Sequence, residues 1–189
     1  MFNKKEITSI LKIAKNAGDT IMEYYLDYKD SDISLKKDGT VVTKADSAAN
    51  ELITQELKKL FPNIDIVSEE NSEEDNLKAV KNKQYFMIDP LDGTSSFVKK
   101  LDEFTVNIAL ISNSKAIFGI IYLPAKDLMY FTDKNNDSQK IENYSRGQSQ
   151  SQVIKTANNK NNLRVICTKR EPEKSKVIAD LKNKNVSIK

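Results

Sequence analysis

Two neighbouring segments with strand periodicity restrict the fold of this chain more than any other feature. In residues 104–110 the even-numbered positions are apolar, whereas Thr105 and Asn107 between them are polar. An apolar–polar alternation of this kind is the period of a β-strand with one buried face. A hairpin turn is predicted to lead into a second apolar segment at 116–122, and a third strand is predicted at 128–132. The pattern therefore predicts an antiparallel meander.

Helical spacing of apolar residues precedes these strands. Residues 6–27 form one amphipathic stripe, and a second stripe follows Asp46, which the sequence predicts as its N-cap. Further strands are predicted at 64–67 and 85–88, and a strand–turn–strand is predicted from Ser34 to Val42 with its turn at 37–39. Residues 71–83 are polar and predict a loop or a short helix. We therefore expect an α+β fold in which helices flank an antiparallel sheet.

The last third of the chain changes in composition. Residues 133–162 are polar and predict loops around one edge strand near 152–155. A new strand at 163–167 and a helix at 172–182 then predict the start of a second, incomplete α/β domain. The predicted domains are 1–155, which would carry a metal and phosphate site, and 156–189.

Composition excludes several classes of function. The 189 residues include no His, which removes Ser-His-Asp triads and His-based zinc sites, and one Cys, which removes an internal disulfide framework. A net charge of +3 from 30 basic and 27 acidic residues does not indicate nucleic-acid binding. No apolar run approaches the roughly 18–20 residues of a membrane span, and no secretory signal is present. These features predict a cytoplasmic protein.

Two acidic turns at predicted strand ends carry the candidate chemistry. The sequence Asp-Pro-Leu-Asp-Gly-Thr at residues 89–94 follows the strand at 85–88, and Ser-Glu-Glu at residues 68–70 follows the strand at 64–67. Hard divalent cations such as Mg²⁺ prefer clustered oxygen ligands, and backbone amides after such a turn can bind a phosphate. Glu69 would supply a carboxylate from the second turn. The arrangement predicts a metal-dependent enzyme that acts on phosphate esters.

Each of these features also has a structural interpretation. Asp-Pro and Asp-Gly are ordinary turn dipeptides, and Glu69-Glu70 is unremarkable in a chain with 27 acidic residues. Asp46 could serve only as a helix cap. The functional interpretation depends on the conjunction of two acidic strand ends with Gly93 and Thr94 directly after one of them.

The longer segments around these acids resemble the inositol monophosphatase superfamily of metal-dependent, lithium-sensitive phosphomonoesterases. Residues 89–94 match its signature, and residues 38–46, 67–70 and 89–97 occur in its order and spacing. Residues 103–111 are more similar to the bacterial 3'(2'),5'-bisphosphate nucleotidases of the CysQ type than to inositol phosphatases. The resemblance implies a layered αβα sugar-phosphatase-like fold and a place in sulfur metabolism.

The resemblance also implies roles for individual residues. Glu69, Asp89 and Asp92 would bind the metal, together with the carbonyl of Leu91; the complete site would hold two or more Mg²⁺ ions and would be inhibited by lithium. The catalytic group would be Asp46 and Thr94, which polarise the attacking water, with Glu69. Phosphate would bind at Gly93, Thr94 and Ser95.

The implied reaction is hydrolysis of adenosine 3',5'-bisphosphate to AMP and phosphate. The alternative substrate is an inositol phosphate. The family carries a further metal-binding Asp in a Trp-Asp motif well downstream, and this chain has no Trp. The second alternative is therefore a non-catalytic, truncated remnant that binds metal or phosphate. We expect the edge left by the incomplete second domain to expose apolar surface, which predicts self-association. The sequence does not indicate whether the chain associates with a membrane surface.

Overall fold

A capped amphipathic helix opens the described part of the chain. The structure is a computed structural model and describes residues 2–27, 33–35, 41–147 and 150–156. Helix α1 spans Lys4–Leu26 and confirms the predicted helix at 6–27. The Asn3 side chain accepts a hydrogen bond from the amide of Glu6 at 3.0 Å, and the Glu6 carboxylate accepts one from the amide of Asn3 at 2.7 Å. This reciprocal capping box stabilises the first turn.

The second helix begins earlier than the sequence analysis predicts. Helix α2 spans Lys44–Leu60, so Asp46 lies in its first turn and the N-cap is Thr43. The prediction of Asp46 as N-cap was therefore wrong. Its carboxylate instead closes a capping box, because the amide of Thr43 donates to Asp46 Oδ2 at 2.7 Å. The helix buries a stripe that includes Ile53 and Leu57.

Within the described residues, two strands form a small antiparallel sheet and seven form the main sheet. Helix α1 is followed in the chain by β1 (Ile33–Leu35), β2 (Val41–Thr43), α2 and β3 (Asp65–Ser68). The remaining elements are α3 (Glu73–Ala79), β4 (Gln84–Asp92), α4 (Thr94–Val98), β5 (Thr105–Ser112), β6 (Lys115–Leu123), β7 (Leu128–Thr132), β8 (Ser138–Glu142) and β9 (Gln152–Val153).

The main sheet has the order β3-β4-β5-β6-β7-β8-β9. The meander from β5 to β7 confirms the predicted strands, but the sheet is mixed, because β3 runs parallel to β4. The prediction of a single edge strand between 133 and 162 missed β8. That strand is polar in sequence and buries only Gln139 and Ile141, so it lacks an apolar signal.

The acidic segment is itself part of a strand. The sequence predicted that a strand ends at residue 88 and that a turn begins at Asp89, but β4 continues through Asp92 and pairs with β5 along this stretch. The turn comes four residues later than predicted, at Gly93, which has a φ of +93°.

The main sheet has one covered face and one open face. Alternate residues of β5, namely Val106, Ile108 and Leu110, are buried in the core together with apolar residues of α1 and α2. The intervening residues point to the other side, which we call the open face, where Met87 and Ile121 are exposed. The open face carries the groove described below.

The chain divides into two units, Met1–Ile154 and Lys155–Lys189. The predicted strand at 163–167, the predicted helix at 172–182 and the turn at 37–39 lie outside the described residues. The predicted boundary between two domains after residue 155 stays a prediction. Among the helices of the described ranges, none has the length and apolar character that crossing a bilayer requires.

Candidate metal and phosphate site

A β-bulge brings two of the predicted metal ligands to the same face of the sheet. Asp89 pairs with Asn107 of β5 and Asp92 pairs with Thr105, so three residue steps on β4 lie opposite two steps on β5. Residues three apart on a regular strand point to opposite faces. One extra residue in the bulge corrects this and re-aims the second side chain. Both carboxylates therefore line the open face, whereas Leu91 between them is buried.

The three predicted carboxylates share one groove. Glu69 follows β3, and because β3 and β4 are parallel, their carboxyl ends lie at the same edge of the sheet. Glu69, Asp89 and Asp92 all line an open groove of about 980 Å³ on the open face. Asp89 is half-buried, and Glu69 and Asp92 are exposed. Glu69 is 20 residues before Asp89 in the sequence, and the parallel pairing of β3 with β4 brings the two residues to the same edge of the sheet.

The electrostatics of Asp89 show that these acids interact. Burial, which is the largest cause, and the negative charges of Glu69 and Asp92 together raise the pKa of Asp89 to about 7. A smaller contribution comes from Asp46. Two carboxylates that share a site cannot both ionise freely. A divalent cation would remove this repulsion, so the donor set fits a hard metal ion such as Mg²⁺.

The side chains do not form a ready ligand cluster. Among the residues that the structure describes, no three acidic side chains surround one point closely enough to hold a metal ion. Glu69 and Asp92 are exposed, and exposed side chains exchange rotamers rapidly. Rotation of these two side chains toward Asp89 is therefore needed before the three groups could bind one ion.

Asp46 and Thr94 meet beside this groove, as the resemblance implies. Thr94 Oγ1 lies 3.1 Å from Asp46 Oδ1 and 3.1 Å from the carbonyl oxygen of Leu91. A hydroxyl has a single proton, so it donates to only one of them at a time. Asp46 Oδ2 accepts from both the hydroxyl of Thr43 at 2.6 Å and its amide at 2.7 Å. Burial raises the pKa of Asp46 against these hydrogen bonds, which lower it.

The turn after β4 requires glycine. Gly93 has a φ of +93°, and a Cβ at this position would lie 2.7 Å from the carbonyl oxygen of Glu103 and 3.3 Å from the Cα of Phe104. The turn leads directly into α4, whose first residues are Thr94 and Ser95. The first amides of a helix have no intrahelical acceptor, and the binding of phosphate by Gly93, Thr94 and Ser95 stays a prediction.

Asn107 orients Asp92, and the sequence analysis did not identify it as a site residue. Its Nδ2 donates to Asp92 Oδ2 at 3.1 Å, and its Oδ1 accepts from the hydroxyl of Thr105 at 3.1 Å. Because a carboxylate only accepts, the Asn107 atom that faces it must be the amide nitrogen. The polar alternation of β5 was the available signal, since it predicted that Thr105 and Asn107 share a face.

A group of amide side chains fixes the strand end that carries Glu69. The Asn76 side chain accepts from the amide of Ser68 at 3.1 Å and donates to its carbonyl at 2.7 Å. The hydroxyl of Ser68 donates to Asn50 Oδ1 on α2 at 2.6 Å. These bonds join β3 to α2 and α3, and nothing in the sequence pattern predicted Asn50 or Asn76 as supporting residues.

We expect the effect of Mg²⁺ on stability to depend on pH. The pKa of Asp89 is about 7 in the folded protein and near its ordinary value of 3.8 in the unfolded chain. The folded state therefore binds the extra proton between these values, and the metal-free protein loses stability as the pH rises from about 4 to about 7. Metal binding requires the ionised carboxylate.

The rise in thermal unfolding temperature on addition of Mg²⁺ should accordingly be larger at pH 8 than at pH 5. Thermal melts with Mg²⁺ and with EDTA at both pH values measure this difference. An equal rise at both pH values would show that Asp89 does not control binding.

The fold and the acidic groove place the chain in a known family. The profile of the inositol monophosphatase family matches residues 3–187, and the chain belongs to that family. Two curated relatives are both named 3'(2'),5'-bisphosphate nucleotidase CysQ. The one from Shigella flexneri is 41% identical over 124 residues, which cover 66% of this chain and 50% of that protein. The one from Buchnera aphidicola subsp. Acyrthosiphon pisum is 42% identical over 128 residues, which cover 67% and 48%.

Solved structures agree with this placement. CysQ from Bacteroides thetaiotaomicron, a bacterial member of the inositol monophosphatase family, superposes with a TM-score of 0.70 at 26% identity, covering 99% of this chain and 72% of that one. The extragenic suppressor protein suhB from Bartonella henselae gives a TM-score of 0.62 at 30% identity over 71% of this chain and 51% of that one. The chain spans about half the length of the curated relatives it matches.

Proposed function

We propose that this chain carries the metal and phosphate site of a Mg²⁺-dependent phosphomonoesterase that hydrolyses the 3'-phosphate of adenosine 3',5'-bisphosphate, giving AMP and phosphate. The observation that carries the proposal is the meeting of Glu69, Asp89 and Asp92 in one groove beside the Asp46–Thr94 pair. The similarity to proteins named bisphosphate nucleotidases supports this choice of substrate.

The residues fit the metal that the family implies. Glu69, Asp89 and Asp92 supply carboxylate oxygens, and the carbonyl of Leu91 is a further oxygen donor in the same bulge. Burial is the largest cause of the raised pKa of Asp89, and the negative charges of Glu69 and Asp92, which a cation would offset, add to it. When bound, Mg²⁺ neutralises phosphate charge and makes water a better nucleophile. The number of ions and inhibition by lithium stay predictions.

The protein's own contribution to water activation would come from Asp46 and Thr94. A water that hydrogen-bonds to Thr94 Oγ1 can pass its proton toward that oxygen, because the Thr94 hydroxyl donates its own proton to Asp46 Oδ1. The two hydrogen bonds from Thr43 hold the Asp46 carboxylate in place and favour its charged form. General base catalysis of this kind contributes about 10²- to 10⁴-fold to a rate.

The phosphoryl group would be held at the turn after β4. The amides of Gly93, Thr94 and Ser95 would donate to its oxygens, and the absence of a side chain at Gly93, which has a positive φ, would let the backbone approach closely. The oxygen of water then forms the new bond to phosphorus, the bond to the 3'-oxygen of the substrate breaks, and that oxygen takes a proton. No covalent enzyme intermediate is required.

An inositol-phosphate phosphatase is the alternative within the same family. Its mechanism would use the same carboxylates, because nothing in the Asp46–Thr94 pair or in the groove selects the alcohol that leaves. A cytoplasmic location and self-association of the chain also stay predictions.

A substrate panel tests the proposal. Phosphate release should be measured from adenosine 3',5'-bisphosphate, AMP and inositol 1-phosphate, with Mg²⁺ and with EDTA. We expect Mg²⁺-dependent release from the bisphosphate and not from AMP, since only the 3'-phosphate reacts. Faster release from inositol 1-phosphate would favour the alternative. No release from any of the three, with Mg²⁺ binding intact, would support the non-catalytic remnant.

A further inference from the structure

The loop that follows α4 is held in an unfavourable backbone conformation. Between residues 99 and 103, Lys100 and Asp102 each have a φ of +55°, in the left-handed region that residues with a side chain seldom adopt. Such conformations persist only where the surroundings enforce them, and they cluster at functional sites. The question is therefore what holds this loop.

Tyr25, near the end of α1, holds both strained residues. Its hydroxyl donates to Asp102 Oδ1 at 2.7 Å, and the amide of Asp102 donates back to the same hydroxyl oxygen at 3.3 Å. Lys100 Nζ lies 4.1 Å from the centre of the Tyr25 ring and donates to the Tyr25 carbonyl. One tyrosine thus binds the loop through its hydroxyl, its ring and its backbone.

The same ring also contacts α4. Tyr25 packs against Phe97 of α4 with ring centres 5.2 Å apart, and against Phe104 at 4.9 Å. Phe97 and Phe104 contact each other at 5.4 Å, and both are almost fully buried. These three rings lie beneath the short helix that begins with Thr94, so Tyr25 connects the first helix of the chain with the phosphate turn.

The held loop lies close against the turn. A Cβ built on Gly93 would lie 2.7 Å from the carbonyl oxygen of Glu103, the residue after Asp102. A displacement of the loop would leave Gly93 without this neighbour, and Thr94 is the next residue. The 3.1 Å contact between Thr94 and Asp46 depends on the position of that turn.

We propose that Tyr25 and Asp102 form a latch that positions Thr94 against Asp46, so that Tyr25 is a positioning residue for the reaction although it lies outside the groove. The inference rests on the proposed function for its kinetic consequence. A misplacement of about 1 Å can cost 10²-fold in rate. Loss of the latch should therefore lower kcat by about 10- to 100-fold. KM should rise as well, because the same displacement moves the amides of Gly93, Thr94 and Ser95 that would hold the phosphate.

Two substitutions at the same position separate the hydrogen bond from the backbone strain. Asp102→Gly tolerates the left-handed conformation and removes the acceptor, whereas Asp102→Asn tolerates it nearly as well and keeps an acceptor for the Tyr25 hydroxyl. Tyr25→Phe removes the hydroxyl from the other side and keeps the ring packing. The three variants and the parent chain should be compared in kcat, KM and amide hydrogen exchange of residues 94–98.

We expect Asp102→Gly and Tyr25→Phe to lose kcat and to exchange faster at residues 94–98, and Asp102→Asn to keep most of the parent values. Equal kcat and equal exchange in the Gly and Asn variants would overturn the latch. A parent chain that releases no phosphate from any ester would count against the proposed function instead. Hydrogen exchange would then decide the latch by itself, because unchanged exchange in Asp102→Gly would refute it.

Discussion

Asp92→Asn should abolish most Mg²⁺-dependent phosphate release and at the same time stabilise the metal-free protein. The substitution removes one of the three negative charges in the groove. If the metal's contribution falls by about 4 kcal/mol, the rate falls by about 1000-fold. The hydrogen bond from Asn107 Nδ2 can be kept, because the new amide still offers an oxygen. The fold is therefore expected to survive.

The stabilisation follows from the pKa of Asp89. The charge of Asp92 is one of the causes that raise this pKa to about 7. Without that charge the pKa of Asp89 should be less raised, although burial and Glu69 still raise it, so the ionised Asp89 costs the folded state less at pH 8. Thermal melts in EDTA at pH 8 should show a higher unfolding temperature for the variant, and Mg²⁺ should raise it less than in the parent.

Asp19→Asn is the matched control for this experiment. Asp19 forms an ion pair with Lys15 on the surface of α1 and lies outside the residues that line the groove. It should leave both phosphate release and the response to Mg²⁺ unchanged. Unchanged turnover in Asp92→Asn, with the control also unchanged, would remove Asp92 from the metal site.

Gly93→Ala should destabilise the protein more than the same substitution at Gly147, which also has a positive φ. An alanine at this position must adopt a φ of +93° and must place its Cβ 2.7 Å from the carbonyl oxygen of Glu103. The backbone strain and the overpacking each cost about 1–3 kcal/mol, so we expect the free energy of unfolding to fall by about 2–6 kcal/mol. Chemical denaturation measures this loss.

Gly147→Ala isolates the strain from the clash. Gly147 also has a positive φ, at +70°, but a Cβ there would meet nothing within 4 Å. Its cost should therefore be limited to about 1–2 kcal/mol from the left-handed backbone. Equal losses in the two variants would show that Glu103 does not constrain the phosphate turn. Phosphate release should fall in Gly93→Ala and not in Gly147→Ala, because only the first displaces Thr94.

The parts of the fold that follow from local pattern were predictable from the sequence. The helices α1 and α2 and the strands β5, β6 and β7 repeat apolar residues at their own period, and tertiary packing follows that pattern. Strand β8 was not predictable in this way, because a strand with only two buried residues leaves little apolar signal. The parallel pairing of β3 with β4 depends on long-range topology, which periodicity does not report.

The candidate site shows the same division. The residue types and the two strand ends were visible in the sequence, and the resemblance implied the roles of Asp46 and Thr94, which the structure brings to 3.1 Å. The β-bulge was not visible, although without it Asp89 and Asp92 would face opposite sides of the sheet. The sequence analysis assigned Asp46 to the N-cap of α2, whereas Thr43 is the N-cap and Asp46 is the third residue of the helix. The sequence fits both arrangements, because Thr43 and Asp46 have the spacing of a capping box.

The central claim is that Glu69, Asp89 and Asp92 bind one divalent cation together. Crystals of this chain grown with Mn²⁺ test it most directly, because anomalous scattering locates the ion without reference to the protein atoms. We predict a manganese peak in the groove with a carboxylate oxygen from each of the three residues at about 2.0–2.5 Å. A peak elsewhere, or one that Glu69 and Asp92 do not reach, would contradict the account.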